Sequence, residues 1–229
     1  MTGKTQIKIS EPTTEVSSDK PLYIALIAIV AIFLLAFILV KYVPSFEEEP
    51  LTLRELHQKT VSENLDTETA YMFNGHSFVL YDGVWYVEIF QGNAVYDVTL
   101  NYGPKDLMNI SIEGNLSKEF LEKKQMYMTF DPNDNNLSHI AVSTFGLSNS
   151  LIKAFGITPV AGCTNTTVGA CTTAPLITCD SENKSVFFFR YAEESKILFE
   201  DNCVIIEGNG EGIVKAKDRL LLRWYGLVE

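Results

Sequence analysis

Four cysteines are the residues of this 229-residue chain whose spacing most clearly permits chemistry. They lie in the last third of the chain, at Cys163, Cys171, Cys179 and Cys203. The spacings of eight, eight and twenty-four residues differ from the paired short spacings of zinc fingers and ribbons. Eight residues separate Cys163 from Cys171, and Cys179 and Cys203 lie in two predicted strands that can be neighbours, so we predict these two disulfides. Two other pairings, free thiols and a metal site are the alternatives.

The three histidines, His57, His76 and His139, form no recognisable catalytic or metal-binding motif. None belongs to an H-E-x-x-H sequence, and the chain contains neither the G-x-S-x-G of hydrolases nor a Walker sequence. We expect each histidine to lie at the surface or to make a structural hydrogen bond. The sequence thus predicts no catalytic residue, no metal ligand and no cofactor.

One loop resembles the start of an EF-hand calcium site. Asp131, Asn133 and Asn135 supply oxygens at its first, third and fifth positions, as a hard cation requires. Asn136 replaces the sixth-position glycine, and Val142 replaces the bidentate acid at the twelfth. We predict a solvated turn.

A second loop is rich in glycine and resembles a phosphate-binding turn. Gly208 and Gly210 separate a strand-like segment from a helix-like one, but Ile213 stands where the last glycine of G-x-G-x-x-G belongs. Glu207 and Glu211 would also repel a phosphate. We predict a tight strand-to-helix turn.

Aromatic residues alternate along one predicted strand, where Trp85, Tyr86 and Phe90 occur with two valines. Residues of this type in a strand usually belong to the core, and we predict that role. The alternative is a half-exposed row that forms a binding surface.

Five Asn-X-Ser/Thr sequences are possible glycosylation sites, and they matter only in an exported chain. They begin at Asn109, Asn115, Asn136, Asn165 and Asn183.

An uncharged apolar stretch runs from Leu22 to Val40. Its nineteen residues approach the ~20 that cross a bilayer as a helix, and we predict one transmembrane helix over 21–43. A cleaved signal peptide is the rival, but the stretch exceeds the usual apolar length and no small-residue cleavage site follows. Three lysines precede this stretch, at positions 4, 8 and 20, whereas Lys41 is the one that follows it closely. The positive-inside rule therefore predicts a cytoplasmic N-terminus.

Net charge argues against nucleic acid as a partner. The chain carries −11 at pH 7, and the part after Lys41 holds fourteen basic and twenty-six acidic residues. Such a surface repels a polyanion, and no basic stripe interleaved with aromatics is present.

The remaining pattern predicts an α+β fold with four segments: a disordered tail (1–20), the transmembrane helix (21–43), an acidic linker (44–50) and an extracytoplasmic domain (51–229). In that domain a short helix capped by Thr52 precedes an antiparallel meander with a type I′ turn at Asp82-Gly83. A C-terminal α/β lobe closed by a helix follows. The predicted strands are 76–81, 84–90, 94–100, 108–112, 125–130, 157–160, 176–179, 186–190, 197–199 and 203–207, and the later helices are 118–124, 137–155 and 213–225.

Several segments resemble uncharacterised single-pass membrane proteins of small-genome archaea. They begin at Asp82 (DGVWY), Asn101 (NYGP), Phe130 (FDP), Leu176 (LITCD), Cys203 (CVIIEG) and Ala216 (AKDRLLLRWYG). The resemblance covers most of residues 50–229 and implies an archaeal cell envelope and an outward-facing domain. It implies no activity and no site.

The sequence therefore predicts a membrane-anchored cell-surface or envelope protein with a structural or binding role and an envelope protein as its partner. A surface hydrolase is the first alternative, and it would need carboxylates or a histidine converging in a cleft. An accessory subunit of a secretion or filament machine is the second.

Overall fold

The computed structural model describes residues 20–42, 50–91 and 94–228. Apart from Lys20 and Pro50, the predicted tail and linker lie outside these ranges, as do residues 92–93 between the predicted strands 84–90 and 94–100. The chain divides into two compact units, Met1–Pro50 and Leu51–Glu229.

Helix α1 (Lys20–Tyr42) belongs to the first unit and is 23 residues long. Its large apolar side chains from Tyr23 to Leu39 are exposed. No helix in the described part of the chain is both long enough and apolar enough to cross a membrane.

Helix α2 (Leu53–Glu63) opens the second unit, and its first turn is fixed by the predicted capping box. The Thr52 N–H donates to Glu55 Oε2 at 2.8 Å, so an otherwise unpaired helix-start donor is satisfied. Val61 near the end of the helix is 58% exposed. The inward face at this turn carries His57 and Thr60 instead.

An antiparallel sheet follows in the order β1-β2-β3-β4. Its strands are β1 (Ala70–Phe73), β2 (His76–Tyr81), β3 (Val84–Gln91) and β4 (Ala94–Leu100). Asp82 and Gly83 both have positive φ, +50° and +77°, as the predicted type I′ turn requires. The predicted three-strand meander is present, and β1 is a fourth strand that the sequence analysis missed.

A second, mixed sheet has the order β5-β9-β10-β8-β6-β7. Its strands are β5 (Ser111–Leu116), β6 (Gln125–Phe130), β7 (Thr158–Ala161), β8 (Ser185–Tyr191), β9 (Lys196–Asp201) and β10 (Cys203–Gly208). Strands β7, β6, β8 and β10 run parallel, whereas β9 is antiparallel to β10. The domain is therefore α+β, as predicted.

Three helices accompany this sheet: α3 (Lys118–Glu122), α4 (Leu137–Phe155) and α5 (Glu211–Trp224). Helix α4 connects β6 to the parallel β7, so these three elements form a βαβ unit in the C-terminal lobe. The main core joins the inner face of the meander to one face of the mixed sheet, with side chains of α4 and α5 between them.

Two of the predicted strands are wrong, one in its position and one in its existence. The strand expected at 108–112 begins only at Ser111, because the preceding residues form turns after a 3-10 helix at Pro104–Asp106. The segment 176–179 is not a strand, since it makes a single bridge between Cys163 and Leu176.

Helix α5 buries charged side chains as well as apolar ones. Lys217 and Asp218 are buried and form an ion pair. The Lys217 ammonium also donates to Asn101 Oδ1 at 3.1 Å, and Asp218 Oδ2 accepts the N–H of Tyr102 at 3.0 Å. A Cβ at Gly146 of α4 would lie 3.0 Å from Lys217 Nζ. The glycine therefore leaves room for the buried ammonium.

Candidate binding groove

The prediction of disulfide bonds is confirmed. The structure contains Cys163–Cys171 and Cys179–Cys203, the two pairs suggested by the cysteine spacing. The second bond ties a loop to β10, beside a small cluster that includes Ile177, Val186 and Ile205. Because such bonds persist in oxidising surroundings, they indicate an extracytosolic compartment.

The five sequon asparagines differ in accessibility. Asn109, Asn115 and Asn183 are exposed, and Asn165 is half-buried. Asn136 is only 7% exposed, and its Oδ1 accepts the Gly210 N–H at 3.0 Å. Its place in the core argues against a glycan there in the folded domain, whereas glycosylation at the other four positions stays a prediction.

The EF-hand-like loop is held by its own side chains. Asp131 Oδ1 accepts the backbone N–H of Asn133 at 2.9 Å and the amide of Asn165, also at 2.9 Å. The Asn133 N–H, followed by the Asn165 amide, lowers the pKa of the Asp131 carboxyl. Within the described residues no group of acids, histidines or cysteines is arranged to hold a metal ion.

The glycines at 208–212 form a close strand-to-helix turn, as expected. A Cβ at Gly208 would lie 2.4 Å from the nitrogen of Ile213, so only glycine allows β10 to pass into α5 here. Gly210 has φ +54°, a conformation that glycine adopts without strain.

A groove of about 500 Å³ lies between α2 and the strands β3 and β4. This volume is in the range of small-ligand sites. Its lining comes from Thr52, Leu53, Arg54 and Gln58 of the helix region and from Glu88, Phe90, Val95 and Asp97 of the two strands.

Two carboxylates lie side by side on the strand side of this groove. Glu88 and Asp97 are directly opposite in the β3–β4 register, where like charges destabilise a sheet. Within the described residues, neither carboxylate makes a hydrogen bond or an ion pair with another side chain. The next register pair, Phe90 with Val95, is apolar and exposed, at 68% and 53%.

A third carboxylate, that of Glu207, is buried and serves as a comparison for the two in the groove. Glu207 of β10 is 4% exposed and lies between two cations. Arg190 Nε contacts its Oε1 at 2.5 Å, and Lys196 Nζ lies 3.3 Å from its Oε2. Among the described residues, by contrast, neither groove carboxylate has a cation within ion-pair distance, although Arg54 also lines the groove.

A buried histidine lies under the groove. His57 is 2% exposed, and its Nδ1 contacts Ser77 Oγ at 2.9 Å, while its Nε2 has no hydrogen-bond partner in the described structure. Burial lowers the pKa of His57, and the charges of Glu88 and Asp97 partly oppose this effect. The neutral imidazole is thus favoured, so His57 does not neutralise the two carboxylates.

The pairing of Ser77 with His57 resembles a nucleophile and its base, but its position does not suit hydrolysis. Both side chains are buried, with exposed fractions of 8% and 2%, and neither lines the groove. A substrate carbonyl needs to reach the serine oxygen. The arrangement instead fixes α2 on the meander.

The predicted aromatic row divides between two roles. Trp85 is 7% exposed and belongs to the core, whereas Phe90 lies on the opposite side of β3 and lines the groove. The core interpretation is correct for the first and wrong for the second, because alternate residues of a strand point to opposite faces.

Comparisons with protein-family models, with curated proteins and with solved structures give no match.

Glu88 and Asp97 are not among the residues predicted from the sequence, although a signal was present. A two-residue turn at Gly92-Asn93 implies that Gln91 lies opposite Ala94, and counting outwards brings Glu88 opposite Asp97. The position of α2 over this pair has no comparable local signal.

Proposed function

We propose that the chain is a membrane-anchored protein whose disulfide-bonded domain lies outside the cytosol and binds a cationic partner in the groove between α2 and the meander. The observation that carries the binding role is the directly opposed pair Glu88 and Asp97, which has no ion-pair partner in the part of the chain that the structure describes. A cation between them would turn a repulsive pair into two favourable ion pairs.

The anchor is proposed from the sequence, where residues 22–40 are apolar and uncharged. The structure does not describe the side chains of Leu22 and Val40, which are the first and last residues of this stretch. The structure describes a helix of 23 residues here, but no helix in the described part of the chain meets the length and apolarity of a span. The anchor is therefore proposed from the composition of the full sequence, whose uncharged stretch approaches the ~20 residues that cross a bilayer.

The chemistry of the groove favours a primary amine or guanidinium on a peptide. Phe90 offers an exposed ring beside the two carboxylates, and a cation over an aromatic face gains about 0.5–1 kcal/mol at such a site. Leu53 and Val95 add apolar contacts for the stem of a lysine or arginine. A basic segment of an envelope protein has this combination of groups.

The test is the binding of a tetralysine peptide to the full chain in detergent micelles, measured by calorimetry. The double variant Glu88→Gln/Asp97→Asn should weaken binding about tenfold or more, as expected when two charge-assisted contacts are lost. Glu119→Gln/Glu122→Gln removes the same charge from the exposed face of α3 and should change the affinity by less than about threefold. Equal losses in both variants, or no measurable binding by the unmodified chain, would contradict a specific cation site.

The resemblance to archaeal single-pass membrane proteins and the inward N-terminus are part of the same proposal. A hydrolase is less well supported, because Ser77 is buried away from the groove. An accessory role in a secretion or filament assembly is compatible with a basic segment of a subunit as the ligand.

A further inference from the structure

The outward side of α4 carries an apolar stripe that is separate from the groove. Val142, Phe145 and Ile152 are 45%, 70% and 54% exposed, and their spacing of three and seven residues brings them to one side of a helix. A pocket of about 390 Å³ lies beside Phe145, with Ser148 and the β7 residues 159–161 among its lining. We call this surface the α4 face.

Strand β7 lies at the edge of the mixed sheet, but its chemistry does not favour the addition of another strand. The N–H groups of Thr158 and Gly162 donate towards β6, to Lys124 and Met128. Because N–H directions alternate along a strand, those of residues 159 and 161 belong to the outer edge. Pro159 has no N–H, so the free edge offers one donor where two would be expected. An occupant must therefore pack by its side chains.

The α4 face has oppositely charged ends. Lys124 precedes β6 and Lys153 lies near the end of α4, and both are exposed. Asp131 and Asp134 occupy the loop from β6 to the start of α4, at the other end of the same βαβ unit. Between these ends α4 contains no acidic residue, although the chain carries −11.

We propose that a second copy of this chain occupies the α4 face, with the two α4 helices antiparallel about a two-fold axis near Phe145. In this arrangement the lysine end of each copy meets the aspartate end of the other, and the helix dipoles are also opposed. Each Phe145 enters the pocket beside Pro159 of its partner. The uncharged middle of the helix lets the copies approach despite their net charge.

The proposal is independent of the cation groove, and two exposed phenylalanines allow separate tests. Sedimentation of the full chain in detergent micelles should show a monomer–dimer equilibrium, and Phe145→Asp should raise its dissociation constant about tenfold or more, as for a central aromatic contact. Phe90→Asp, at a site of similar exposure (68%), should leave dimerisation unchanged. Tetralysine binding should survive Phe145→Asp. A purely monomeric chain, or a dimer insensitive to Phe145→Asp, would overturn the proposal.

The antiparallel geometry has its own test in native membranes. Asn149 lies one turn beyond Phe145, close to the proposed axis, so Asn149→Cys should cross-link to its own copy with a short bis-maleimide. Asn115→Cys on β5, at the opposite edge of the sheet, should not. Cross-linking through residue 115 instead, or through neither position, would exclude this two-fold arrangement.

Discussion

Lys217 and Asp218 are neighbours in the sequence and share one buried site. Burial raises the pKa of the Asp218 carboxyl, while Lys217 and the N–H groups of Tyr102 and Asn101 act in the opposite direction. Removal of one member of a buried pair typically costs 3–5 kcal/mol. The pair therefore fixes α5 against the end of β4 and depends on the space that Gly146 leaves.

A mutant cycle at Gly146 tests this dependence. Gly146→Ala should destabilise the otherwise unmodified chain by about 1 kcal/mol, because the new methyl group displaces the Lys217 ammonium. In a Lys217→Ala/Asp218→Asn background the same change should instead stabilise by up to about 1 kcal/mol, the usual gain of alanine over glycine in a helix. Urea unfolding of all four proteins measures the coupling. Equal effects in both backgrounds would show that the contact has no energetic importance.

His57 should make stability depend on pH in the acid range. Its pKa is lowered in the folded state, so the unfolded chain binds the proton more tightly. The stabilising contribution is complete above the unfolded value of about 6.5 and is lost as the pH falls through the folded value.

His57→Gln should therefore reduce the loss of unfolding free energy between pH 7.5 and pH 5, as measured by urea titration. The unmodified chain titrated in parallel supplies the reference pH dependence. A His57→Gln curve parallel to that of the unmodified chain would argue against a buried neutral imidazole.

At the scale of elements, local chemistry explains which parts of the fold were predictable. Three features depend on residues that are close together in the sequence: the capping box of α2, the Asp82-Gly83 turn and the span of α4. Strand β1 was missed because four residues show too little alternation. The order β5-β9-β10-β8-β6-β7 depends on contacts between distant segments. The burial of Lys217 was not predictable either, because its ionic partner is the next residue, Asp218. Adjacent residues on a helix do not normally face each other.

The two disulfides should differ in their effect on stability. Cys179–Cys203 closes a segment with a separation of 24 residues and Cys163–Cys171 one of 8. On the chain-entropy model, the threefold difference in length corresponds to about 1 kcal/mol more stabilisation by the longer closure. The alanine pair at 179 and 203 should therefore unfold at lower urea than the pair at 163 and 171. The reverse order would indicate that packing near the loop dominates.

The whole chain contains an apolar N-terminal helix and a disulfide-bonded domain. Two separate surfaces, the cation groove and the α4 face, lie on that domain. The cation groove and the α4 face use different elements, so one copy of the domain could bind a basic peptide while paired with another. The sequence indicated the oxidising compartment through its cysteines. It did not indicate either surface, because each is formed by residues brought together from separate strands and helices.

Cysteine labelling in intact cells tests whether the disulfide-bonded domain lies outside the cytosol. Glu119→Cys introduces a thiol at an exposed position of α3, and Ser10→Cys introduces one in the N-terminal tail. A membrane-impermeant maleimide should label the first in intact cells and the second only after lysis. Labelling of Glu119→Cys only after lysis would put the domain in the cytosol and contradict the account.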